Sequence, residues 1–334
     1  MNRLACLTTS FLALAGCAEN ASDPAQPDDG TATVDETATP QGQGNLTASA
    51  IQHIFVIVME NHGTSTIYGN TANAPYINNT LIPQFGRATN FIDKLPSLAS
   101  EPHYIWMEAG TNAFADHTFT TDNNPSSSNN TASTAHLSTQ IIAAGSSWLA
   151  YQEGINSTTG GCPIASSGSY APKHDPFVFF RDVSGATPSK TNAFCVAHHK
   201  PLTALATDMT NNTVAAYNFI TPNLCNDMHD SCSPVANPIL QGDTWLSQNV
   251  PAIINYVNAH QGALFIVWDE PEGSTGNIPL IVVGPHVKPN FASTVQYSHS
   301  SMVKSFEQIL ALPILPTVST DNGFTDFFTA GFFP

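Results

Sequence analysis

Residues 55–62 read FVIVMENH, and this stretch decides the fold. Five apolar residues stand in succession rather than in alternation, the pattern of a strand covered on both faces. Such strands belong to parallel sheets flanked by helices. The run then stops on Glu60, Asn61 and His62: a carboxylate, an amide and an imidazole. In an open α/β sheet the carboxyl ends of the strands are where ligands sit. One stretch thus predicts an architecture and the edge on which its chemistry lies.

Working outward, residues 54–58, 214–220, 264–268 and 280–283 form four apolar, β-branched runs, each expected to be a strand of a parallel sheet. Residues 132–144, 244–260 and 300–312 carry apolar side chains at helical spacing. Strands interleaved with helices read as a three-layer α/β/α sandwich. Segments 116–130 and 158–173 are rich in Ser, Asn, Gly and Pro and read as loops. With no internal repeat and no second linker, residues 51–334 are expected to form a single domain.

The first 17 residues read as an export signal. Arg3 supplies the positive end, a short apolar run follows, and LAGC ends at Cys17. That ending resembles a bacterial lipobox, which makes Cys17 the lipidation site and the mature N-terminus. No Asp follows the cysteine, which favours the outer membrane or cell surface. Residues 18–50 contain no Lys or Arg and no apolar periodicity, and read as an acidic, disordered tether reaching about 30 Å from the lipid. Membrane contact is expected through this anchor alone, and a released, secreted form is its alternative.

Of 334 residues only 10% are charged, against a usual value of about 25%, and the net charge is −16. Clustered Lys and Arg are missing, which argues against nucleic acid as a partner. An acidic protein that handles phosphate must neutralise it with a metal or with helix N-termini. Four cysteines remain beyond the signal, and in an exported domain they favour two disulfides. Three connectivities are open; pairing by proximity gives Cys162–Cys195 and Cys225–Cys232. The first loop would contribute roughly 3–4 kcal/mol on the loop-entropy model. A zinc site using Cys225, His229 and Cys232 is the rival.

Three strand ends carry polar clusters: Glu60 and Asn61, the loop TPNLCNDMHDSC from 221, and Asp269 with Glu270. Side by side in a sheet, Glu60, Asn61, Asp269 and Glu270 make an oxygen-rich cage suited to a divalent cation. No soft ligand is included, so Mg, Ca, Mn and Zn all fit. Ser100-Glu101-Pro102 reads as a helix start, with Ser100 either a plain cap or, beside a metal, a nucleophile. His229 is an acid/base or ligand candidate. His299 begins the last helix and faces the same rim, while His174 sits on a loop. His198 and His199 read as surface residues.

These residues resemble the bacterial phosphoesterase family of secreted acid phosphatases and non-haemolytic phospholipases C, and look nearest its short acid-phosphatase members. HIFVIVMENHG is similar to the family's opening strand, although His62 replaces a more frequent Arg. ASEPHY is similar to its nucleophile pattern, although His103 replaces an Asn. NDMHD with GDTWL, the strand ending in WDE, and YSHSSMVKSFEQIL follow in order, so the resemblance runs from about His53 to Pro313. It implies an alkaline-phosphatase-like fold, with Glu60, Asn61, Asp269 and Glu270 on the metal and Ser100 as nucleophile. It further implies His229 as proton donor, and His299, His103 and His174 near the substrate.

The expected reaction is hydrolysis of a phosphate monoester through phosphoserine, on a small molecule or a phospholipid head group. A phospholipase C-like phosphodiesterase is the first alternative. A binding lipoprotein that has lost activity is the second.

Overall fold

The computed structural model describes residues 50–334, except 156–160, 272, 274 and 275. The segments expected to be an export signal, with Cys17, and a tether, up to residue 49, lie outside the described residues.

Among the described residues eight strands form one sheet. They are β1 (His53–Met59), β2 (Gly86–Ala88), β3 (Trp148–Gln152), β4 (His199–Pro201), β5 (Tyr217–Thr221), β6 (Gly262–Trp268), β7 (Leu280–Val283) and β8 (Phe291–Ser293). Their order is β4-β3-β5-β1-β6-β7-β2-β8. The opening stretch is at the centre: β1 pairs in parallel with β5 on one side and β6 on the other. Residues 54–59 and 263–268 are fully buried, as strands covered on both faces must be.

The helices used below are α1 (Ser100–Ala109), α2 (Leu137–Ala143), α3 (Pro238–Ala259) and α4 (His299–Ile309). α3 packs on β6, and α1 packs on α4. α1 ends at Gly110, whose φ of 65° closes the helix. A β-carbon there would meet Val318 Cγ1 at 2.1 Å, so the position has room only for glycine.

Four sequence expectations need correction. β7 runs antiparallel to both β6 and β2; the connection from 268 to 280 is too short for a helical crossover, which takes about a dozen residues. α3 begins at Pro238 rather than 244, because Asn237 caps it by accepting the Leu240 N–H at 3.1 Å. α2 begins at 137 rather than 132, because Thr131 is bound into a backbone bridge with Phe180. The disulfides are Cys162–Cys195 and Cys225–Cys232, so the zinc alternative falls with its thiols. His199 is buried rather than superficial: its Nδ1–H donates to the Cys195 carbonyl at 2.7 Å and its Nε2 meets Asp175 at 3.1 Å.

Candidate active site

Strand register assembles the acids. Met59 lies beside Trp268, so Glu60 and Asp269 leave the sheet together. The Asp269 N–H donates to the Met59 carbonyl at 3.0 Å, and the Asn61 N–H donates to Asp269 Oδ1 at 3.0 Å. Asn61 takes φ 52° to do so, a left-handed turn that asparagine tolerates. On the other flank the loop after β5 returns Asp227, whose carbonyl accepts the Glu60 N–H at 2.7 Å. The Cys225–Cys232 disulfide brackets this loop. α3 presses on it at Gly242, where a β-carbon would come within 2.4 Å of Met228 Cγ.

Ser100 enters from the start of α1, but it is not the cap. Ala99 is the N-cap and Ser100 the first helical residue. Its hydroxyl is engaged elsewhere: Oγ donates to Glu60 Oε2 at 3.0 Å and stands 3.5 Å from Glu270 Oε1. The Glu101 N–H, one of the helix's orphan donors, is taken by Asp122 Oδ1 at 3.2 Å. A cleft of about 430 Å³ opens beside these groups, lined by Asn61, Ser97, Leu98, Ala99, Glu270 and Pro271.

The second oxygen of Glu60 faces another set of donors. Oε1 lies 3.2 Å from His174 Nε2, and His174 Nδ1 lies 3.3 Å from Asp227 Oδ2. Ligand atoms of Glu60, His174 and Asp227 all fall within 4.8 Å of one another. Short as these distances are, the angles do not make hydrogen bonds. Glu60 Oε1, His174 Nε2, Asp227 Oδ2 and Asp269 Oδ2 are buried and have no hydrogen-bond partner among the described residues. Buried carboxylate oxygens without partners are costly. Together with a neutral imidazole they are hard O and N donors, which suits a divalent cation.

The electrostatics agree. Burial, and then the charges of Asp269 and Asp227, raise Glu60 well above the usual carboxylate range. Burial does the same to Asp227 and also raises Asp269. Burial and Asp269 push Glu270 up to about 8. His174 is driven the other way, well below its ordinary value, by burial and then by Lys173 and His229. A cation bound at pH 7 must therefore displace at least the Glu270 proton. Calorimetric titration in buffers of differing ionisation enthalpy should show proton release, and an ion that binds with none contradicts this cage. By linkage, the cation-free protein holds the stability of protonated Glu270 below about 4.5 and loses it as pH rises through about 8.

The remaining histidines divide sharply. His229 lies in the cluster, its ring centroid 5.9 Å from that of His174; Nδ1 meets Asp230 Oδ1 at 2.7 Å, and Nε2 has no partner among the described residues. His103 is fully buried, with Nδ1 on the Ala99 carbonyl at 2.8 Å and Nε2 on Asp93 at 3.0 Å. Burial opposes its charge, but the Asp93 bond and the acids beyond it raise it to about 9. His299 donates from Nε2 to the Trp268 carbonyl at 3.0 Å, and burial lowers it to about 4. His103 and His299 thus brace α1 and the end of β6 from behind. His174, expected at the substrate, stands beside Glu60 and Asp227 as a candidate cation ligand. Sequence reasoning missed Asp227, which lies within the loop after β5. It also missed Tyr104, which stacks on His174 at 4.9 Å and 6°.

A mixed sheet flanked by helices, with acids, histidines and a serine gathered at its parallel strand ends, is an α/β sandwich similar in fold to alkaline-phosphatase superfamily proteins. A superfamily member from Vibrio parahaemolyticus superposes with a TM-score of 0.52 at 8% identity, over 84% of this chain and 71% of that one. The model of the Phosphoesterase family matches residues 95–313. A phosphatidylinositol-3-phosphatase of Mycobacterium tuberculosis (strain ATCC 25618 / H37Rv) is 31% identical over 276 residues, 81% of this chain and 82% of the relative. A phosphate-repressible acid phosphatase of Penicillium chrysogenum is 28% identical over 160 residues, 46% of this chain and 36% of the relative. The chain belongs to the phosphoesterase family and is a phosphoric ester hydrolase.

Proposed function

We propose that this chain is a metal-dependent phosphomonoesterase acting through phosphoserine at Ser100. One observation carries the reading: a hydroxyl at a helix N-terminus that caps nothing and is aimed at two carboxylates of a cation cage. Glu60, Asn61, Asp269 and Glu270, joined by Asp227 and His174, would hold the ion. When bound it supplies positive charge to a phosphoryl oxygen and acidifies the nearby hydroxyl.

The chain's own residues account for the rest. Ser100 Oγ, fixed by Glu60 beside the cleft, passes its proton to Glu60 Oε2 and attacks phosphorus in line; the same carboxyl returns that proton when water cleaves the bond from phosphorus to Ser100 Oγ. The dipole of α1 adds partial positive charge at Ser100, although its next N–H, that of Glu101, is already held by Asp122. His229, held through Nδ1 by Asp230, has Nε2 available to protonate the departing alcohol. The same ring then withdraws a proton from the water that cleaves phosphoserine.

Both named relatives are phosphatases, which supports monoester over diester hydrolysis. The substrate class is a soluble phosphate ester or a phospholipid head group. Two closed disulfides support residence in an oxidising compartment, in keeping with an exported lipoprotein anchored through Cys17. Turnover of p-nitrophenyl phosphate, with little turnover of p-nitrophenyl phosphorylcholine, is the expected result. The reverse preference would identify a phosphodiesterase, and no turnover of either would leave a binding protein.

A further inference from the structure

A phosphate dianion approaching this site meets an electrostatic difficulty. Glu60, Asp227, Asp269 and Glu270 stand together, and a divalent cation offsets only part of their charge. The first donor of α1 beyond Ser100 is already given to Asp122, and Pro102 has no N–H to offer. His103 is charged, but both of its ring nitrogens are bound behind the site.

Among the described residues, Lys173 is the cation set against this cluster. It immediately precedes His174, and its ammonium pairs with Asp122 Oδ2. The other oxygen of Asp122 accepts the Glu101 N–H at 3.2 Å, so the lysine is tied through one carboxylate to the residue after Ser100. Its side chain is 17% exposed. Other cations are engaged elsewhere: Lys94 with Asp321, Arg181 with Asp116, Lys200 with Asp208, and Lys304 with the carbonyls of Ser319 and Asp321.

We propose that Lys173 clamps the non-bridging oxygens of the substrate's phosphoryl group, and that Asp122 parks the ammonium at the mouth of the site until phosphate arrives. The inference rests on the phosphomonoesterase reading above. A partly exposed Lys–Asp pair is weak. A dianion beside a bound cation is a stronger partner, so the lysine can exchange one for the other without rearranging the fold.

The test measures binding of inorganic phosphate to the manganese-loaded full chain by calorimetry, beside its competitive inhibition of p-nitrophenyl phosphate turnover. Lys173→Met should weaken phosphate at least 10-fold and raise KM similarly, with manganese affinity and Tm unchanged. Lys173→Arg should restore part of the loss. Asp122→Asn keeps an acceptor for the Glu101 N–H but releases the lysine, and should tighten phosphate several-fold. That gain should vanish in the double variant with Lys173→Met. Unchanged phosphate affinity in Lys173→Met overturns the proposal, as does a gain from Asp122→Asn that survives in the double variant. Should Lys173→Met fail to fold, Asp122→Asn decides, and unchanged phosphate affinity there is equally fatal. Absence of turnover in the wild type would strike the phosphomonoesterase reading, whereas the calorimetric comparison judges the lysine separately.

Discussion

Ser100→Ala lowers kcat by at least about three powers of ten, the scale expected when a nucleophile is removed and only binding and electrostatics remain. The helix does not go with it. Ala99 is the N-cap, so no capping bond is lost, and the roughly 1 kcal/mol that a missing cap would cost is not incurred. What disappears is the oxygen 3.0 Å from Glu60 and 3.5 Å from Glu270. Ser100→Thr keeps a hydroxyl at the same place and should retain part of the rate. Steady-state kinetics with p-nitrophenyl phosphate, alongside thermal melts, separate the two roles. Near-normal turnover in Ser100→Ala would shift attention to Ser97, which lines the same cleft.

Exhaustive chelation is expected to reduce turnover to the background, and added divalent cation to restore it. The reason lies in the orphaned atoms: Glu60 Oε1, Asp227 Oδ2, Asp269 Oδ2 and His174 Nε2 are buried without hydrogen-bond partners among the described residues. Asp269→Asn is the sharper version. An asparagine can still accept the Asn61 N–H through Oδ1, so the turn after β1 survives, while one charge leaves the cage. Cation affinity should fall by more than the roughly 10–100-fold seen when outer-shell partners are removed. Full turnover in cation-free protein would remove the cage from the mechanism.

The centre of the sheet was legible because burial on both faces leaves an unmistakable trace. Residues 54–58 and 264–268 could be nothing but apolar, and their polar successors then had to mark the functional edge. Direction was less legible: 280–283 is as apolar as its neighbours, and only the short connection from 268 tells that it runs backwards. Helix starts were misplaced where a side chain, not a pattern, sets the boundary. Asn237 extends α3 beyond its apolar stripe, while the bridge at Thr131 delays α2.

In the site, the acids that leave their strands at once, Glu60 and Asp269, could be named from sequence. Asp227 could not be singled out, because it lies inside a loop of several polar residues and only the fold shows which one turns inward. His174 depended on a contact between segments more than a hundred residues apart. Ser100 illustrates the reverse: the position was read correctly as a helix start, but its hydroxyl faces Glu60 because Asp122 serves the helix instead.

The account stands on a covalent step at one oxygen, and rapid acid quenching measures it. Wild-type protein mixed with excess phosphate monoester bearing a labelled phosphoryl group, then quenched at low pH, should carry label on the peptide containing Ser100. The labelled fraction should rise with substrate and be lost in Ser100→Ala. Turnover with no protein-bound label, or label found on another residue, would contradict the assignment of Ser100 as the nucleophile.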